Sequence, residues 1–430
     1  MFKKILNKSE TIKDSSILIG ATLVSQIIPI ALQPFLRRIY TPAEFGLLAI
    51  YFSIVSILCI TASFNYQTTI TLPKSEERAN NLVLGAIRIS LFFSVAIFIL
   101  FYFTDNFIIR IFHFPIELKD WILFIPLCVF LNSCHLIFTN WLIRKKAYKA
   151  LGINKISRRA FEGAGQISAR QFWKGNGLLL GNIIGDIFNF LTYLVQFKKS
   201  GGKFVRSGET KIVDDLKSYI HFPKYSLLPN LLITIAGFLP IFIVNANYSK
   251  HLTGQYDLCT QMLGLPVALI SMSISQVLLQ NVSYAKNHGL SIAKELMHIF
   301  RLLAILAVIF VPILFFFGEE LFAFVFGKEW RLAGNITQKL CISYALMIIV
   351  TPLATTFISL ERLKINAIWQ VSHFLVLLSL VFIKDIAFDD FILLIMSIEL
   401  AFYLCYGILT YKIVRDYEEG LRNSNSEKNN

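Results

Sequence analysis

Long apolar stretches separated by short polar breaks run through the whole chain. Two of them, LFFSVAIFILFYF at 91–103 and LLAILAVIFVPILFFF at 302–317, lie in segments that approach the roughly 20 residues a helix needs to cross a bilayer. These segments lack the alternating polar pattern of a membrane β-strand, and only helices or closed barrels satisfy their backbone in hydrocarbon. The pattern therefore predicts an all-α, polytopic membrane protein.

Eleven segments are clear candidates for membrane spans. Those of the first half cover 15–36, 45–72, 82–103, 121–143 and 177–197. Those of the second half cover 225–245, 255–279, 297–317, 336–360, 365–383 and 391–411.

The region 153–172 is a twelfth candidate, although it carries Arg158, Arg159, Glu162 and Arg170. Cytoplasmic segments of membrane proteins are enriched in Lys and Arg, so the distribution of these residues tests whether this region crosses. With a cytoplasmic amino terminus, crossing places about 29 of them inside and about 10 outside, whereas no crossing gives about 20 on each side. Twelve spans with both termini in the cytoplasm are predicted, and the small residues of this segment favour a helix packed within the protein.

Composition agrees with this architecture. Hydrophobic residues make up 55% of the 430 residues and charged residues 16%, an apolar share above that of ordinary soluble domains. The net charge of +14 comes from Lys and Arg in the connections, which orient the chain in the membrane, so no nucleic-acid partner is expected. The six cysteines lie in apolar stretches without metal-site or disulfide spacing, which predicts small packing residues.

The two halves carry matching landmarks in the same order, which indicates an internal duplication. ILFYFTDNFIIRIF at 99–112 resembles ILFFFGEELFAFVF at 313–326. The other matched pairs are Pro29 with Pro240, Arg88 with Arg301, and Asp186 with Glu399. Six spans per repeat give a parallel pseudo-twofold relation between the lobes, an arrangement typical of transporters that work by alternating access. The predicted division is a first lobe at 1–200, a basic cytoplasmic linker at 201–224, a second lobe at 225–415 and a disordered cytoplasmic tail at 416–430.

Several blocks resemble the Wzx-type O-antigen flippases of the multidrug/oligosaccharidyl-lipid/polysaccharide (MOP) exporter superfamily. They begin with GATLVSQIIPIALQPFLRRIYTPAEFGLLAIYFSIVSIL from Gly20 and NYQTTITLPKSEERANNLVLG from Asn65. RKKAYKALGINKISRR, GLLLGNIIGD, FPKYSLLPNLL and FGKEWRLA continue the resemblance over nearly the whole chain. It implies twelve helices in two six-helix lobes, and a flippase that moves undecaprenyl-diphosphate-linked oligosaccharide to the outer leaflet of a bacterial inner membrane. The implied partners are the lipid-linked sugar, membrane lipids and polysaccharide polymerase or assembly proteins. Gln67 stands where many relatives have an acid, and Asp186 where an amide is common.

Four arginines are candidates for substrate binding, in the cavity or at its gate. Arg37 and Arg38 lie at the outer end of the first span, where positive charge runs against the topology rule, and Arg88 lies about two turns inside the third span. A guanidinium suits bidentate phosphate contact, but interfacial snorkelling is an alternative for each arginine and the stronger one for Arg301.

Six further residues complete the set of candidates. Asn65 and Gln67 could hydrogen-bond sugars. Asp186 and Glu399 lie near the bilayer centre, where an acid either couples transport to an ion or satisfies a partner within its own lobe. Pro29 and Pro240 interrupt corresponding helices, as hinges or as ordinary kinks.

Other functions are compatible with parts of the pattern. A multidrug or cation antiporter of the same superfamily is the nearest, although such exporters often use a carboxylate in the first span and 15–36 has none. A membrane glycosyltransferase or polymerase usually needs large outer loops, and those predicted here are short. No GxxxxGK, HExxH or GxSxG motif occurs, so no enzyme activity, metal or cofactor is expected beyond a coupling ion, H+ or Na+.

Overall fold

The computed structural model describes residues 27–111, 114–172, 176–204 and 209–428, and within them the regular structure is helical throughout. We number the twelve long helices in chain order. In the first half they are α1 (27–39), α2 (Pro42–Ala62), α3 (Glu76–Ile111), α4 (Ile125–Arg144), α5 (Tyr148–Phe172) and α6 (Gly177–Lys199). In the second half they are α7 (His221–Asn247), α8 (Lys250–His288), α9 (Ala293–Phe326), α10 (Arg331–Leu353), α11 (Leu363–Ser379) and α12 (Phe388–Lys428).

Ten of the helices described are long and apolar enough to cross a membrane, namely all except α1 and α5. The description of α1 starts at residue 27, so the earlier part of the predicted span 15–36 lies outside the described residues. Helix α5 has 25 residues, or about 37 Å at 1.5 Å per residue, and is therefore long enough to cross despite its charges. The predicted all-α architecture of about a dozen helices is confirmed.

Glycines allow α5 and α6 to pack almost backbone to backbone. A Cβ atom added to Gly181 would lie 2.4 Å from the backbone nitrogen of Gln166, and one added to Gly165 would lie 3.0 Å from the Cα of Gly181. One turn further along α6, a Cβ on Gly185 would lie 2.8 Å from the Cβ of Glu162. The hydrophobic effect does not drive helices together in lipid, and small residues let them associate by close packing instead. This contact explains how the charged helix α5 is held in the bundle.

The turn between α1 and α2 is fixed onto the same helix pair. Thr41 caps α2 in a capping box with Glu44, which satisfies free backbone N–H groups at the helix start. The Tyr40 hydroxyl donates a hydrogen bond of 2.6 Å to the backbone carbonyl of Gln166, and Arg170 lies 3.0 Å from the Glu44 carboxylate. The first two helices are thereby anchored to α5 at this end.

Two structured segments were not predicted from the sequence. In the predicted span 45–72, the α-helix ends at Ala62 and a 3-10 helix follows at Tyr66–Thr71. Phe64 and Asn65, between the two, have positive φ angles. The linker contains the helix Glu209–Ser218, whose buried Asp215 accepts hydrogen bonds from Arg78 at 2.8 Å and Asn81 at 2.9 Å.

Contacts divide the chain into two compact units, Met1–Thr253 and Gly254–Asn430. Helix α7 falls in the first unit because it packs against α2, with Phe52 and Phe238 edge to face at 6.2 Å. The sequence placed the lobe boundary earlier, in the linker at 201–224, and that repeat-based boundary stays a prediction. At the carboxyl terminus, α12 continues as helix to Lys428 where a disordered tail was predicted, and Arg415 lies 3.4 Å from the Glu419 carboxylate one turn further along.

Candidate functional site

A buried polar cluster lies inside the first unit, where α4, α5 and α6 meet. Asp186 is 3% exposed and its Oδ1 lies 2.7 Å from Nη2 of Arg158. Its other oxygen, Oδ2, accepts a hydrogen bond of 2.7 Å from the side chain of Asn132. The Arg158 guanidinium also donates to the Asn132 carbonyl oxygen at 3.4 Å, which closes a three-residue network. Of the two roles predicted for Asp186, this geometry corresponds to pairing within the lobe.

Two further charges of α5 are paired with each other. Arg159 and Glu162 lie 2.9 Å apart on successive turns, and the side-chain amide of Asn182 donates to Glu162 at 3.4 Å. Arg158, Arg159 and Glu162 therefore each meet an opposite charge, which limits the cost of placing them at membrane depth. A hydropathy average does not detect this helix, because it counts these charges although they are paired inside the protein.

Sequence analysis missed the polar residues of α4 and α6 that complete the cluster. On α4, Asn132, His135 and Thr139 recur at helical spacing, and His135 Nδ1 lies 3.2 Å from the Asn189 amide of α6. The Thr139 hydroxyl lies 2.9 Å from that of Tyr193. A polar residue every three or four positions on an otherwise apolar helix is the signal that would have indicated one shared face.

Glu399 has a partner in its own unit, as Asp186 does. Its Oε2 lies 3.2 Å from Nε2 of His373 on α11, and the two side chains are 21% and 14% exposed. The two residues are 26 positions apart in the sequence, and only the fold brings them together. Asp257, a further acid of this unit, is buried and accepts hydrogen bonds of 3.0 Å from Gln261.

Arg37 and Arg38 differ although they are adjacent. Arg37 is 1% exposed, donates from Nε to Gln33 at 2.9 Å and places its guanidinium 3.6 Å from the centre of the Phe45 ring. Arg38 is exposed. Arg37 therefore contributes a cation–π contact inside the protein, and the snorkelling alternative does not describe it.

Arg88 lies on α3 and Arg301 on α9, and both are exposed. Neither forms an ion pair with any residue in the described ranges, so each guanidinium is available to an anion. Each also begins an exposed apolar stripe of its helix at helical spacing. The stripe residues are Phe92, Val95 and Ile99 after Arg88, and Ile305 and Val308 after Arg301.

Asn65 and Gln67 are buried, and their amides bond to other parts of the same unit. Asn65 donates to the Ser226 hydroxyl of α7 at 2.5 Å and accepts from the Gln67 amide at 2.9 Å. Ser63 donates to the Gln67 carbonyl oxygen. These residues tie the end of α2 to α7, and their role in contacting sugar stays a prediction.

The remaining predicted residues are the two prolines. Pro240 is buried inside α7, which also contains Pro229, and Pro29 is half-buried near the start of the described part of α1. In the ranges described, no group of three or more His, Cys, Asp or Glu side chains has the arrangement of a metal site.

An ion pair outside the spans connects the loop between α3 and α4 to the start of α8. The Lys250 ammonium donates to the Glu117 carboxylate, and this hydrogen bond lowers the pKa of Glu117. Burial raises the pKa of the Tyr66 hydroxyl, which donates to the Leu216 carbonyl oxygen of the linker helix at 3.2 Å.

Solved structures of the MOP superfamily share this fold. An inward-facing multidrug resistance transporter of the MATE family aligns with a TM-score of 0.72 at 11% identity, covering 92% of this chain and 99% of that one. The lipid II flippase MurJ, in an inward closed conformation, aligns with a TM-score of 0.67 at 17% identity, covering 92% and 86%. A MOP transporter from Pyrococcus furiosus gives 0.62 at 12% identity, covering 95% and 96%. The ten apolar helices indicate a multi-pass membrane protein, and its fold is that of MOP superfamily transporters, with the twofold repeat predicted from the sequence.

A family model identifies the family of this chain. The model described as polysaccharide biosynthesis protein matches residues 35–334. The chain belongs to this family, which confirms the resemblance found in the sequence. No curated protein matches the chain. Family and fold together support a membrane flippase or transporter, and the solved structures that share the fold are themselves transporters and flippases.

Proposed function

We propose that this protein is a flippase that moves undecaprenyl-diphosphate-linked oligosaccharide from the cytoplasmic to the outer leaflet of a bacterial inner membrane. The cargo is the repeat unit of O-antigen or a related surface polysaccharide. The observation that carries the proposal is the polysaccharide biosynthesis family match over 35–334, joined to a fold shared with a lipid II flippase.

Physical chemistry supports a cationic pathway for such a cargo. A pyrophosphate and several sugars do not cross hydrocarbon unaided, because removing charge and hydroxyls from water is expensive. Arg88 and Arg301 supply guanidinium groups that are exposed and without an ion-pair partner among the described residues. A planar, permanently charged guanidinium suits bidentate contact with a diphosphate.

The proposed orientation places both termini, the linker helix and the inner end of α2 in the cytoplasm. The excess of Lys and Arg in these connections supports it. The proposed mechanism is alternating access, in which the substrate site is open to each side of the membrane in turn. The proposed energy source is a coupling ion, H+ or Na+.

Deletion of the gene tests the proposal directly. Without this protein and without a redundant flippase, lipid-linked oligosaccharide should accumulate on the cytoplasmic face while surface polysaccharide is lost. Mass spectrometry of the accumulated lipid identifies the sugar unit, and expression of the intact chain should restore export. Normal export in the deletion strain would refute the proposal.

The antiporter alternative is tested in the same strain. A multidrug antiporter predicts increased sensitivity to cationic drugs with unchanged surface polysaccharide, which is the opposite pattern. Purified protein in liposomes separates the two again, since only a flippase changes the leaflet distribution of a fluorescent lipid-linked sugar.

A further inference from the structure

An exposed aromatic ring lies near the start of α7, between two nitrogen-bearing side chains of the same helix. Tyr225 is 67% exposed. The imidazole of His221, one turn earlier, is nearly parallel to its ring, with planes 10° apart and ring centres at 6.3 Å. The Lys224 ammonium lies 5.5 Å from the ring centre, within the range of a cation–π contact. We call these three side chains the Tyr225 surface.

Hydrogen bonds of the next residue hold this surface in place. The Ser226 hydroxyl accepts a hydrogen bond of 2.5 Å from the buried Asn65 amide, which follows the end of α2. The same hydroxyl donates to the Phe222 carbonyl oxygen at 2.6 Å, and the Gln67 amide donates to Asn65 at 2.9 Å. The start of α7 is thereby fixed to the end of α2. A surface that is ordered before a ligand arrives loses less conformational entropy on binding.

Pro229 frees a backbone acceptor beside the ring. Proline has no backbone N–H, so the carbonyl oxygen of Tyr225, four residues earlier, lacks its regular helical donor. Pro229 is exposed, and so is Leu228 at 61%, which makes this side of α7 accessible. A carbonyl oxygen without its helical partner is available to accept a hydrogen bond from a ligand.

The chemistry of these groups matches a sugar that is linked to a phosphate. A sugar ring has a face of C–H groups that packs on an aromatic ring, and its hydroxyls donate hydrogen bonds to carbonyl oxygens. A lysine ammonium attracts phosphate as a compact positive charge. The first turn of α7 carries no acid, and in the ranges described no carboxylate forms an ion pair with Lys224. The charge of Lys224 is therefore available to an anion.

We propose that the Tyr225 surface recognises the sugar-phosphate part of the lipid-linked cargo. The first sugar packs on the Tyr225 ring and donates a hydrogen bond to the Tyr225 carbonyl oxygen, while the Lys224 ammonium contacts the diphosphate. In the proposed orientation this end of α7 is cytoplasmic, on the side from which the cargo enters. The identity of the cargo rests on the proposed function, whereas a preference for glycosylated over bare lipid diphosphate is a property of this surface.

Two lipids that differ only in the sugar test the site. The probes are undecaprenyl diphosphate and the lipid-linked oligosaccharide isolated from cells that make this protein, and native mass spectrometry of the intact protein in detergent measures their binding. The wild type should bind the glycosylated lipid about 2- to 10-fold more tightly. Tyr225→Leu should remove this preference and Tyr225→Trp should keep it. Lys224→Gln should weaken binding of both lipids by a similar factor, because both carry the diphosphate.

A matched control separates the site from membrane anchoring. Tyr411 of α12 is 66% exposed, and Tyr411→Leu should keep the wild-type preference. An aromatic residue that only anchors the protein at the membrane surface does not distinguish the two lipids, so its loss leaves their affinity ratio unchanged.

Pro229→Ala separates recognition from stability. Alanine restores the N–H that bonds to the Tyr225 carbonyl oxygen, so this variant should melt at a higher temperature and still show a smaller preference for the glycosylated lipid. A residue with a purely structural role would not give this combination. An unchanged preference in Pro229→Ala would overturn the part assigned to the carbonyl oxygen.

Three results would overturn the site as a whole: equal binding of the two lipids by the wild type, a preference that survives Tyr225→Leu, or a preference lost equally in Tyr411→Leu. Loss of the preference in Tyr225→Trp would overturn packing of the sugar on the ring. If the deletion strain exports polysaccharide normally while the preference still depends on Tyr225, the proposed function fails and the recognition site stands.

Discussion

The Arg158 guanidinium lies 2.7 Å from the Asp186 carboxylate, and both side chains are enclosed by α4, α5 and α6. Arg158 belongs to the helix that hydropathy would exclude from the membrane, and Asp186 to a helix that hydropathy accepts. The pair therefore explains two features together: how α5 carries charge among transmembrane helices, and why an acid is placed at the centre of α6.

Removing one member of this pair should destabilise the protein more than removing both. Asp186→Ala or Arg158→Met leaves an uncompensated buried charge, which costs about 3–5 kcal/mol, whereas an apolar replacement of both residues is often close to neutral. Thermal unfolding in detergent should show a large loss for each single variant and substantial recovery in the double variant. Asp214→Ala, an exposed acid of the linker helix, provides the control. A double variant as unstable as the single ones would contradict the pairing.

Enlarging Gly181 should separate α5 from α6. The Cβ of Gly181→Ala would lie 2.4 Å from the backbone nitrogen of Gln166, so the helices must move apart at a cost of about 1–3 kcal/mol. Gly264 has open space around its Cβ position, and Gly264→Ala should instead stabilise α8 by up to about 1 kcal/mol. Melting temperatures of the two variants should shift in opposite directions, and equal shifts would count against the close packing.

Asp215 should hold the linker helix on α3. In Asp215→Ala, the buried amide of Asn81 loses its acceptor, which costs about 1–3 kcal/mol locally. Trypsin should then cleave the linker faster than in the wild type, while Asp214→Ala should be cleaved at the wild-type rate. Unchanged cleavage in Asp215→Ala would show that the ion pair with Arg78 and the hydrogen bond from Asn81 do not secure this helix.

Substitutions at Arg88 separate phosphate binding from snorkelling. If two-pronged contact with the diphosphate matters, Arg88→Ala and Arg88→Lys should both reduce export of lipid-linked sugar by about tenfold or more, since a lysine cannot reproduce the planar fork. If the guanidinium only reaches lipid headgroups, Arg88→Lys should retain full export. Export is measured in the deletion strain at matched protein levels. Wild-type export in Arg88→Ala would remove Arg88 from the proposed site.

The positions of most helices could be predicted from the sequence because hydrocarbon imposes a local requirement. Each span must be about 20 residues of apolar helix whatever its neighbours are. The start of α6 at Gly177 agrees with the prediction for this reason, and the other spans differ mainly by extensions at their ends. Even α5 could be predicted, because whether it crosses decides on which side of the membrane the Lys and Arg of every later connection lie.

The candidate residues were harder to interpret, because a side chain's role depends on what lies opposite. Arg37 and Arg38 are adjacent in the sequence, yet one is enclosed beside Phe45 and the other is exposed. Asn65 and Gln67 have the chemistry to bind sugar, but their amides bond to Ser226 and to each other. No local pattern contains this information, since the partners lie as many as 161 residues away.

The two acids Asp186 and Glu399 show most clearly which features follow from the sequence and which from the tertiary structure. The sequence alone determined that each acid lies near the middle of a span, because depth follows from counting residues along an apolar helix. Only the tertiary structure decided that Asp186 meets Arg158 of α5, while Glu399 meets His373 of α11. Helix position is set by the local free energy of transfer into lipid, whereas charge pairing is set by which helices the packing brings together.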